Sequence, residues 1–289
     1  MDLVDMNQSF KRFVPAEFLA ILGKKRLIDV KLGDQVKKEM SIMFVDIRSF
    51  TTMSEKMKPE ESFNFINNYL SRIGPIIRKN KGFIDKYIGD GIMALFPSNP
   101  DDAILAAILM LEEVKNINSE NPNSHPIKIG IGIHTGDMML GIVGENERIE
   151  GTVIADAVNL AARLEGLTKV YGSSILISHQ TFYNLDDSAK YDFRILDKVK
   201  VKGKNESVTV IEILNGRHDS AVKRILNEKL EFERGVGAYL MKDFVRAEEI
   251  FKKIFENNPD DLAMKLYLER AHHYAIHGVP LDWEGIEAM

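Results

Sequence analysis

The chain has 289 residues, of which 45% are hydrophobic and 28% are charged, a composition typical of globular proteins. It contains no cysteine, which excludes disulfides, thiolate metal sites and cysteine nucleophiles. The net charge of -5, with no basic stripe, argues against a nucleic-acid partner. No apolar run approaches the roughly 20 residues of a membrane-spanning helix, and the N-terminus lacks the apolar stretch of a signal peptide. We therefore expect a soluble, cytoplasmic protein.

Residues 1–38 combine an apolar pattern with a mixed-charge stretch. Their apolar positions follow a helix-like spacing that only Pro15 interrupts, and the stretch KLGDQVKKEM follows. We predict a helical lead-in and linker over this range.

Strand-like and helix-like runs alternate over residues 39–215. The strand-like runs are SIMFVDI, GFIDKYI, IMALF, IKIGIGIHTG, MMLGIVG, SSILIS and VTVIEIL. Helical runs such as DDAILAAILMLEEVKNI separate them, and this interleaving indicates a single α/β or α+β sheet domain. The segments YIGDGIMALF and IGIHTGDMMLGIV are both predicted as hairpins, because the glycines of Gly-Asp-Gly and Thr-Gly-Asp can adopt positive φ.

Residues 216–289 show an almost continuous, highly charged helical pattern. Its spacing resembles one tetratricopeptide unit at Gly235, Phe244, Ala247, Phe251 and Pro259. Stacked repeats normally number about three, so this segment is too short for a free-standing solenoid. We expect it to pack on itself, on the sheet domain or on a partner chain.

Two aspartates occupy conspicuous positions in the predicted sheet. Asp46 ends the apolar run SIMFV, and Asp90 lies in the turn of YIGDGIMALF. If the two strands are neighbours, both carboxylates emerge at one end of the sheet and form an oxygen site suited to magnesium or manganese. The alternative is structural: Asp46 caps the following turn and Asp90 fills a glycine-flanked hairpin tip. Spacing alone leaves both interpretations open.

Three further stretches could bind phosphate. The loop IRSFTTMSEKM after Asp46 can supply backbone amides. Asn159 and Arg163 lie four residues apart, on one face of a predicted helix, where an arginine can hold negative charge. Taken alone, a solvated arginine beside a surface asparagine is the simpler interpretation. The lysines of VKVKGKNE, among them Lys202, alone indicate a solvent-exposed hairpin.

Five motifs read together carry a family resemblance. FVDIRSFT, DKYIGDGIMALF, GIGIHTGDMMLGIVG, TVIADAVNLAARLEGL and VKVKGK occur in this order within residues 39–215. In order and spacing they resemble the motifs of class III nucleotide cyclases. The resemblance implies an α+β, ferredoxin-like sheet domain, followed here by an all-helical segment. It also implies an adenylate cyclase, which converts ATP to 3′,5′-cyclic AMP and pyrophosphate in intracellular signal transduction.

The resemblance also implies a two-metal site. Asp46, Asp90 and the carbonyl of Ile47 would hold two Mg²⁺ or Mn²⁺ ions. One ion would lower the pKa of the ribose 3′-hydroxyl while the other bridges the triphosphate. The loop amides near the β and γ phosphates would be those of Arg48, Ser49, Phe50 and Thr51.

The remaining substrate contacts follow from the same resemblance. Asn159 would orient the ribose, Arg163 would stabilise charge at the α-phosphate, and Lys202 would hold the terminal phosphates. Lys86 and Thr152 would read the adenine, as in the threonine-type, bicarbonate-responsive adenylate cyclases. Guanylate cyclases typically have glutamate and cysteine at these two positions.

One position departs from the family pattern. Ala155 stands where these cyclases usually have glycine, in IADAVN. If that glycine needs positive φ, the alanine would strain the turn before Asp156.

The implied geometry predicts a homodimer. By resemblance, the base and ribose contacts come from the subunit that faces the metal aspartates, so one chain cannot complete a site. A two-fold dimer with two equivalent sites satisfies this requirement. A protein partner bound through the helical tail and an upstream sensor module are further expectations. The alternatives are an inactive cyclase-like dimerisation or nucleotide-sensing module, and a guanylate cyclase.

Overall fold

The protein is described here from a computed structural model. The described residues are 15–122, 125–145, 147–200, 207–217, 221–280, 283 and 285. Over these ranges the chain forms a mixed α+β sheet domain followed by three C-terminal helices. None of the helices described is both long enough and apolar enough to cross a bilayer.

The described strands form one eight-stranded sheet with the order β2-β3-β1-β4-β6-β8-β7, and β5 pairs with β4. The strands are β1 Gln35–Ile47, β2 Phe83–Ile88, β3 Gly91–Phe96, β4 Ile129–Glu145, β5 Arg148–Ile154, β6 Ile175–Ser178, β7 Phe193–Lys200 and β8 Ser207–Ile213. Strands β4 and β6 run parallel, whereas the other pairs are antiparallel. The first strand begins well before the run SIMFVDI that the sequence pattern predicts.

The helices begin and end at residues suited to those positions. They are α1 Ala16–Ile21, α2 Phe50–Ser54, α3 Pro59–Lys79, α4 Pro100–Glu120, α5 Asp156–Tyr171, α6 His179–Tyr183, α7 Ala221–Leu240, α8 Phe244–Asn257 and α9 Leu262–His277. Two short 3₁₀ turns lie at Leu27–Asp29 and Ser188–Lys190. Asn99 caps α4 by accepting from the amide of Asp101, and Gly172 ends α5 with a φ of 66°.

The hairpin predicted in IGIHTGDMMLGIV is wrong. Strand β4 continues straight through Thr135, Gly136 and Asp137, and it pairs with β1 from Ile129 to Gly141. The uninterrupted ladder to β1 overrides the local turn propensity, so Gly136 lies opposite Met40 in an extended strand. The chain instead reverses after Glu145, where β5 returns along β4.

The hairpin predicted in YIGDGIMALF is confirmed. Strands β2 and β3 pair up to Ile88 and Gly91, and Gly89 has a φ of 64° in the turn. The register shifts between Ile84 and Lys86, which marks a β-bulge at Asp85. The turn therefore presents Asp90 beside the end of β1.

Helices cover both faces of the sheet. A core that includes Met43, Ile73, Met110 and Ile131 fills the space between the sheet and helices α3 and α4. On the other face α5 approaches β4 closely because of two glycines. A Cβ at Gly130 would lie 2.3 Å from Thr168 Oγ1, and one at Gly132 would lie 2.1 Å from the backbone nitrogen of Glu165. Glycine at these positions therefore fixes the height of α5 above the sheet.

The C-terminal helices pack on the sheet domain, one of the three arrangements that the sequence left open. Their apolar side chains, including Phe232, Phe251 and Met264, share a core with Leu164 of α5 and Leu196 of β7. Helix α5 carries Asn159 and Arg163, so the tail supports the helix behind these two residues.

A buried ion cluster joins the tail to the sheet. The guanidinium of Arg194, 2% exposed, donates from Nε to Glu212 Oε2 at 2.7 Å and from Nη2 to Asp261 Oδ1 at 3.0 Å. Asp261 also caps α9, and the guanidinium lies 5.0 Å from the ring centre of Phe232 on α7. One side chain thus links β7, β8 and two tail helices.

A second buried cluster connects α5, β7 and α9. The carboxylate of Asp197 accepts from the hydroxyl of Tyr171 at 2.5 Å and from Nη1 of Arg270 at 3.0 Å. Nearby, the hydroxyl of Tyr267 donates to the carbonyl of Leu196 at 2.8 Å. These polar contacts fix the tail in one orientation, since apolar packing alone is not directional.

Candidate active site

The structure brings Asp46 and Asp90 together at one end of the sheet. Asp46 is the penultimate residue of β1, and Asp90 lies in the β2–β3 turn. The amide of Ile47 donates to Asp90 Oδ2 at 3.1 Å, and a Cβ on Gly91 would lie 3.4 Å from Asp46 Oδ1. The neighbouring strands that the sequence argument required are therefore present.

This end of the sheet concentrates negative charge. Burial, together with the adjacent Asp90 carboxylate, raises the pKa of Asp46 to about 6. Burial also raises the pKa of Glu165 to about 7, with a further contribution from Asp46. The clustering raises the free energy of the ionised site, and a cation would lower it.

The donors fit a hard divalent cation. Two carboxylates and the carbonyl of Ile47 offer only oxygen, the ligand type that Mg²⁺ and Mn²⁺ prefer. Among the described residues there is no cluster of three or more His, Cys, Asp or Glu side chains arranged for a metal.

The loop after β1 is sharply bent. Ser49 has a φ of 58°, an uncommon conformation for a residue with a side chain, and α2 begins at Phe50. The amides of Phe50 and Thr51 lie in the first turn of α2, where backbone amides have no intrahelical acceptor.

Arg48 departs from its expected role in this loop. Its amide donates to the carbonyl of Lys128 at 2.8 Å, and its side chain donates to the carbonyl of Ser173 at 2.5 Å. The expectation that the Arg48 amide is available to phosphate is therefore wrong. The Arg48 amide continues the hydrogen-bond ladder between β1 and the segment that precedes β4. The amides that follow it, from Ser49 onward, remain to face a ligand.

Lys86 and Thr152 are in direct contact. The ammonium of Lys86 donates to Thr152 Oγ1 at 3.1 Å and to Glu150 Oε1 at 3.3 Å, although the residues belong to strands β2 and β5. Its Nζ also lies 3.4 Å from Asp85 Oδ2. Partial burial opposes the charge, yet Asp85 and Glu150 raise the pKa of Lys86. The two residues expected to read the base are thus joined by a hydrogen bond from the Lys86 ammonium to the Thr152 hydroxyl.

Helix α5 presents Asn159 and Arg163 opposite its buried face. Leu160 and Leu164 are buried, whereas Asn159 is exposed and Arg163 is partly buried. Ala155, just before the helix, has a φ of -167°, which is extended backbone that any residue adopts. The strain expected at this alanine is therefore absent.

The expected site residues fall into separate sets. In the part of the chain that the structure describes, no hydrogen bond or ion pair joins Asp46 or Asp90 to Lys86 or Thr152. Lys202 lies outside the described residues. We call Asp46 and Asp90 the carboxylate set and Lys86 and Thr152 the base-contact set; no hydrogen bond or ion pair among the described residues joins the two sets.

Sequence reasoning missed two residues next to the carboxylates. Glu165 lies four residues after the buried Ala161 and three before the buried Thr168, so helical periodicity places it on the inner face of α5. The buried hydroxyl of Tyr69 has no hydrogen-bond partner. Burial and the charges of Asp90 and Asp46 raise its pKa. Tyr69 lies on the apolar face of α3. The apolar pattern of this face does not indicate that the Tyr69 hydroxyl lies near two carboxylates.

The raised pKa values predict how the stability of the metal-free protein changes with pH. Unfolded carboxyls lose their protons near pH 4, whereas the folded protein keeps them up to about pH 6 on Asp46 and about pH 7 on Glu165. The folded state binds more protons in this window, so the unfolding free energy falls as pH rises from about 4 to 7.

Thermal melts in EDTA between pH 5 and pH 8 measure this effect. Asp46→Asn should flatten the decline, whereas Asp137→Asn, an exposed carboxylate on β4, should leave it unchanged. Stability of the parent protein that increases across the window would contradict the assigned electrostatics.

Comparison with known proteins gives consistent matches. A family model described as the adenylate and guanylate cyclase catalytic domain matches residues 32–213. The chain is 45% identical over 213 residues to an adenylate cyclase of Anabaena cylindrica, covering 71% of this chain and 42% of that protein. It is 36% identical over 274 residues to the terminal-differentiation specific adenylate cyclase of Dictyostelium discoideum, covering 92% and 13%. The chain thus spans less than half the length of either relative.

Solved structures match the sheet domain. A crystal structure of an adenylyl cyclase from P. aeruginosa has 30% identity and a TM-score of 0.55, covering 64% of this chain and 98% of that one. A bacterial light-regulated adenylyl cyclase has a TM-score of 0.66, covering 78% and 66%; at 24% identity it shows the fold alone. The predicted fold class, an α+β cyclase-like sheet domain with C-terminal helices, is confirmed.

Proposed function

The chain belongs to the family of adenylate and guanylate cyclase catalytic domains, and we propose that it is an adenylate cyclase. It would convert ATP to 3′,5′-cyclic AMP and pyrophosphate in intracellular signal transduction. The observation that carries the choice of base is the 3.1 Å contact between Lys86 and Thr152, because these residues stand where guanylate cyclases typically have glutamate and cysteine. The relatives named adenylate cyclase support the same choice.

One group of residues would bind the metal ions and the β and γ phosphates. Asp46, Asp90 and the Ile47 carbonyl would hold two Mg²⁺ or Mn²⁺ ions, which supply activation of the ribose 3′-hydroxyl and neutralise phosphate charge. The amides of Ser49, Phe50 and Thr51 would bind the β and γ phosphates. The Arg48 amide is not among them, because it donates to the carbonyl of Lys128.

The second set of residues would act on the ribose and the leaving group. Asn159 orients the ribose so that its 3′-oxygen lines up with the α-phosphate. Arg163 stabilises the charge that develops there, and Lys202 holds the terminal phosphates. Lys86 and Thr152 bind the adenine edge.

We propose that active sites form at a homodimer interface. Within the described residues of one chain, no hydrogen bond or ion pair joins the carboxylate set to the base-contact set, which supports a site shared between two chains. A two-fold axis would supply the missing set to each site and give two equivalent sites.

Several finer assignments are proposed with this function. Thr152 supports the threonine-type, bicarbonate-responsive subgroup, and the spacing of apolar residues in 216–289 supports a tetratricopeptide-like tail. The sequence pattern placed the lead-in at 1–38, the catalytic domain at 39–215 and the tail at 216–289; we propose this division with the first boundary moved to before β1, which begins at Gln35. We also propose a cytoplasmic location, an upstream sensor module and a protein partner on the exposed side of the tail.

Product analysis tests the proposed function. The purified chain is incubated with ATP or GTP and either Mg²⁺ or Mn²⁺, and cyclic nucleotides are separated by chromatography. We expect cyclic AMP from ATP and little cyclic GMP. Cyclic GMP as the main product would make the chain a guanylate cyclase, and no product with either metal would indicate an inactive module.

Exchanging the base-reading pair should change the preferred nucleotide. With Lys86→Glu and Thr152→Cys together, kcat/KM for ATP should fall by about 10²-fold or more, because buried polar groups without partners discriminate strongly. The control is the double variant Lys81→Glu with Thr168→Ser. It changes the net charge by the same amount as the exchanged pair, at residues other than Lys86 and Thr152. Unchanged ATP kinetics in the exchanged pair would show that these residues do not read adenine.

A further inference from the structure

Three polar side chains surround the ammonium of Lys86. Thr152 Oγ1 lies at 3.1 Å, Glu150 Oε1 at 3.3 Å and Asp85 Oδ2 at 3.4 Å. The contacts with Thr152 and Glu150 are hydrogen bonds, whereas the contact with Asp85 is an ion pair, because Asp85 Oδ2 accepts no hydrogen bond among the described residues. An acceptor on the base therefore competes with Thr152 and Glu150 for the N–H donors of the ammonium.

The two carboxylates differ in how easily they can lose Lys86. The side chain of Glu150 is 57% exposed, so water can replace Lys86 as its partner. The side chain of Asp85 is 2% exposed, and its Oδ2 accepts no hydrogen bond among the described residues, so the ion pair with Lys86 balances its charge. Moving Lys86 away would leave a buried carboxylate unpaired, which is strongly unfavourable.

The backbone explains why Asp85 is buried. The β-bulge between Ile84 and Lys86 leaves Asp85 without a partner residue on β3. An extra residue in a strand changes the direction of its side chain, so two consecutive residues, Asp85 and Lys86, can approach each other. Burial raises the pKa of Asp85, and the ammonium of Lys86 opposes that shift.

We infer that Asp85 is a positioning residue for Lys86 and that Glu150 is the acceptor which the adenine displaces. This inference rests on the proposed function, since it assumes that Lys86 reads the base. Asp85 would hold the ammonium in place before and after ATP binds, whereas Glu150 would occupy it only in the free enzyme. Fixing a donor in advance favours binding because the donor then loses less conformational freedom when the ligand binds.

The inference predicts opposite changes in KM for ATP from two substitutions that each remove one negative charge. Asp85→Asn removes the fixed partner, so Lys86 turns towards Glu150 and KM for ATP should rise about tenfold. Glu150→Gln removes the competing carboxylate, so KM for ATP should fall about threefold. In both variants kcat should stay within about twofold, because neither residue touches the reacting atoms. Glu147→Gln, on the same hairpin and also exposed, is the charge-matched control and should change nothing.

Steady-state kinetics with ATP and with GTP decide the matter. KM for GTP should not follow the ATP shifts, whereas a merely structural effect of Asp85→Asn would lower kcat for both nucleotides. Shifts of KM for ATP in the same direction in the two variants would overturn the inference. If the parent forms no cyclic AMP, the proposed function fails, and calorimetric ATP binding to the same variants still tests the inference through the same opposite shifts.

Discussion

Replacing Asp90 with alanine is expected to reduce cyclic AMP formation by about 10³-fold or more. The carboxylate lies beside Asp46 at the end of the sheet and accepts from the amide of Ile47, so its removal would delete a proposed metal ligand without opening the core. Asp46→Ala should have an effect of the same size. Turnover is measured at saturating ATP and Mn²⁺, so that a weakened metal site is not mistaken for lost chemistry.

The control for this prediction is another aspartate on the same sheet. Asp137 on β4 is exposed and pairs with Lys37, away from the carboxylate pair. Asp137→Ala should keep parental turnover. Asp90→Ala protein that folds and retains near-parental activity would contradict the assignment of a metal role to this turn.

Arg194→Ala should lower the free energy of unfolding by about 3–5 kcal/mol. The substitution leaves the carboxylates of Glu212 and Asp261 buried without their common cation, and it also breaks the connection between the sheet and α9. Denaturant unfolding of the full chain measures the loss.

An exposed arginine of the tail provides the matched comparison. Arg234 is exposed and pairs with Glu231 on the same helix, and Arg234→Ala should cost less than about 0.5 kcal/mol. If Arg194→Ala were no more destabilising than Arg234→Ala, the tail would not be an integral part of the folded unit.

Much of the sheet could be predicted from the sequence, because its apolar strand-like runs are separated by glycine-containing turns. The β2–β3 hairpin follows from apolar runs around Gly89, which has the positive φ that the turn requires. The same kind of signal failed at Gly136, where pairing with β1 extends the strand through a turn-like tripeptide. Long-range strand pairing decided that segment, and it leaves no mark in a local window.

The site could be predicted only in part. Asp46 and Asp90 were found because each ends or joins a strand, and neighbouring strands bring them together. Asp85 and Glu150 were missed because their importance depends on a bulge and on the approach of β5 to β2. Arg48 was misjudged because its amide is used by Lys128, a residue 80 positions away in the chain.

The tail illustrates a different limit. Its helical pattern is plain in the sequence, but its partner surface is not. Arg194 and Asp197 of β7 are charged, yet both are buried, and their partners lie on the tail helices. Only the fold shows that polar residues of β7 meet Asp261 and Arg270.

Mixing two inactive variants tests the central claim, an adenylate cyclase whose sites are shared between two chains. Asp46→Ala lacks one carboxylate of the carboxylate set, and Arg163→Ala lacks the proposed charge-stabilising arginine. A heterodimer would hold one site with both lesions and one with neither. Because an equal mixture contains about one half heterodimers, it should recover about one quarter of parental cyclic AMP formation. No recovery, with heterodimers shown to form by differential tagging, would contradict the shared site.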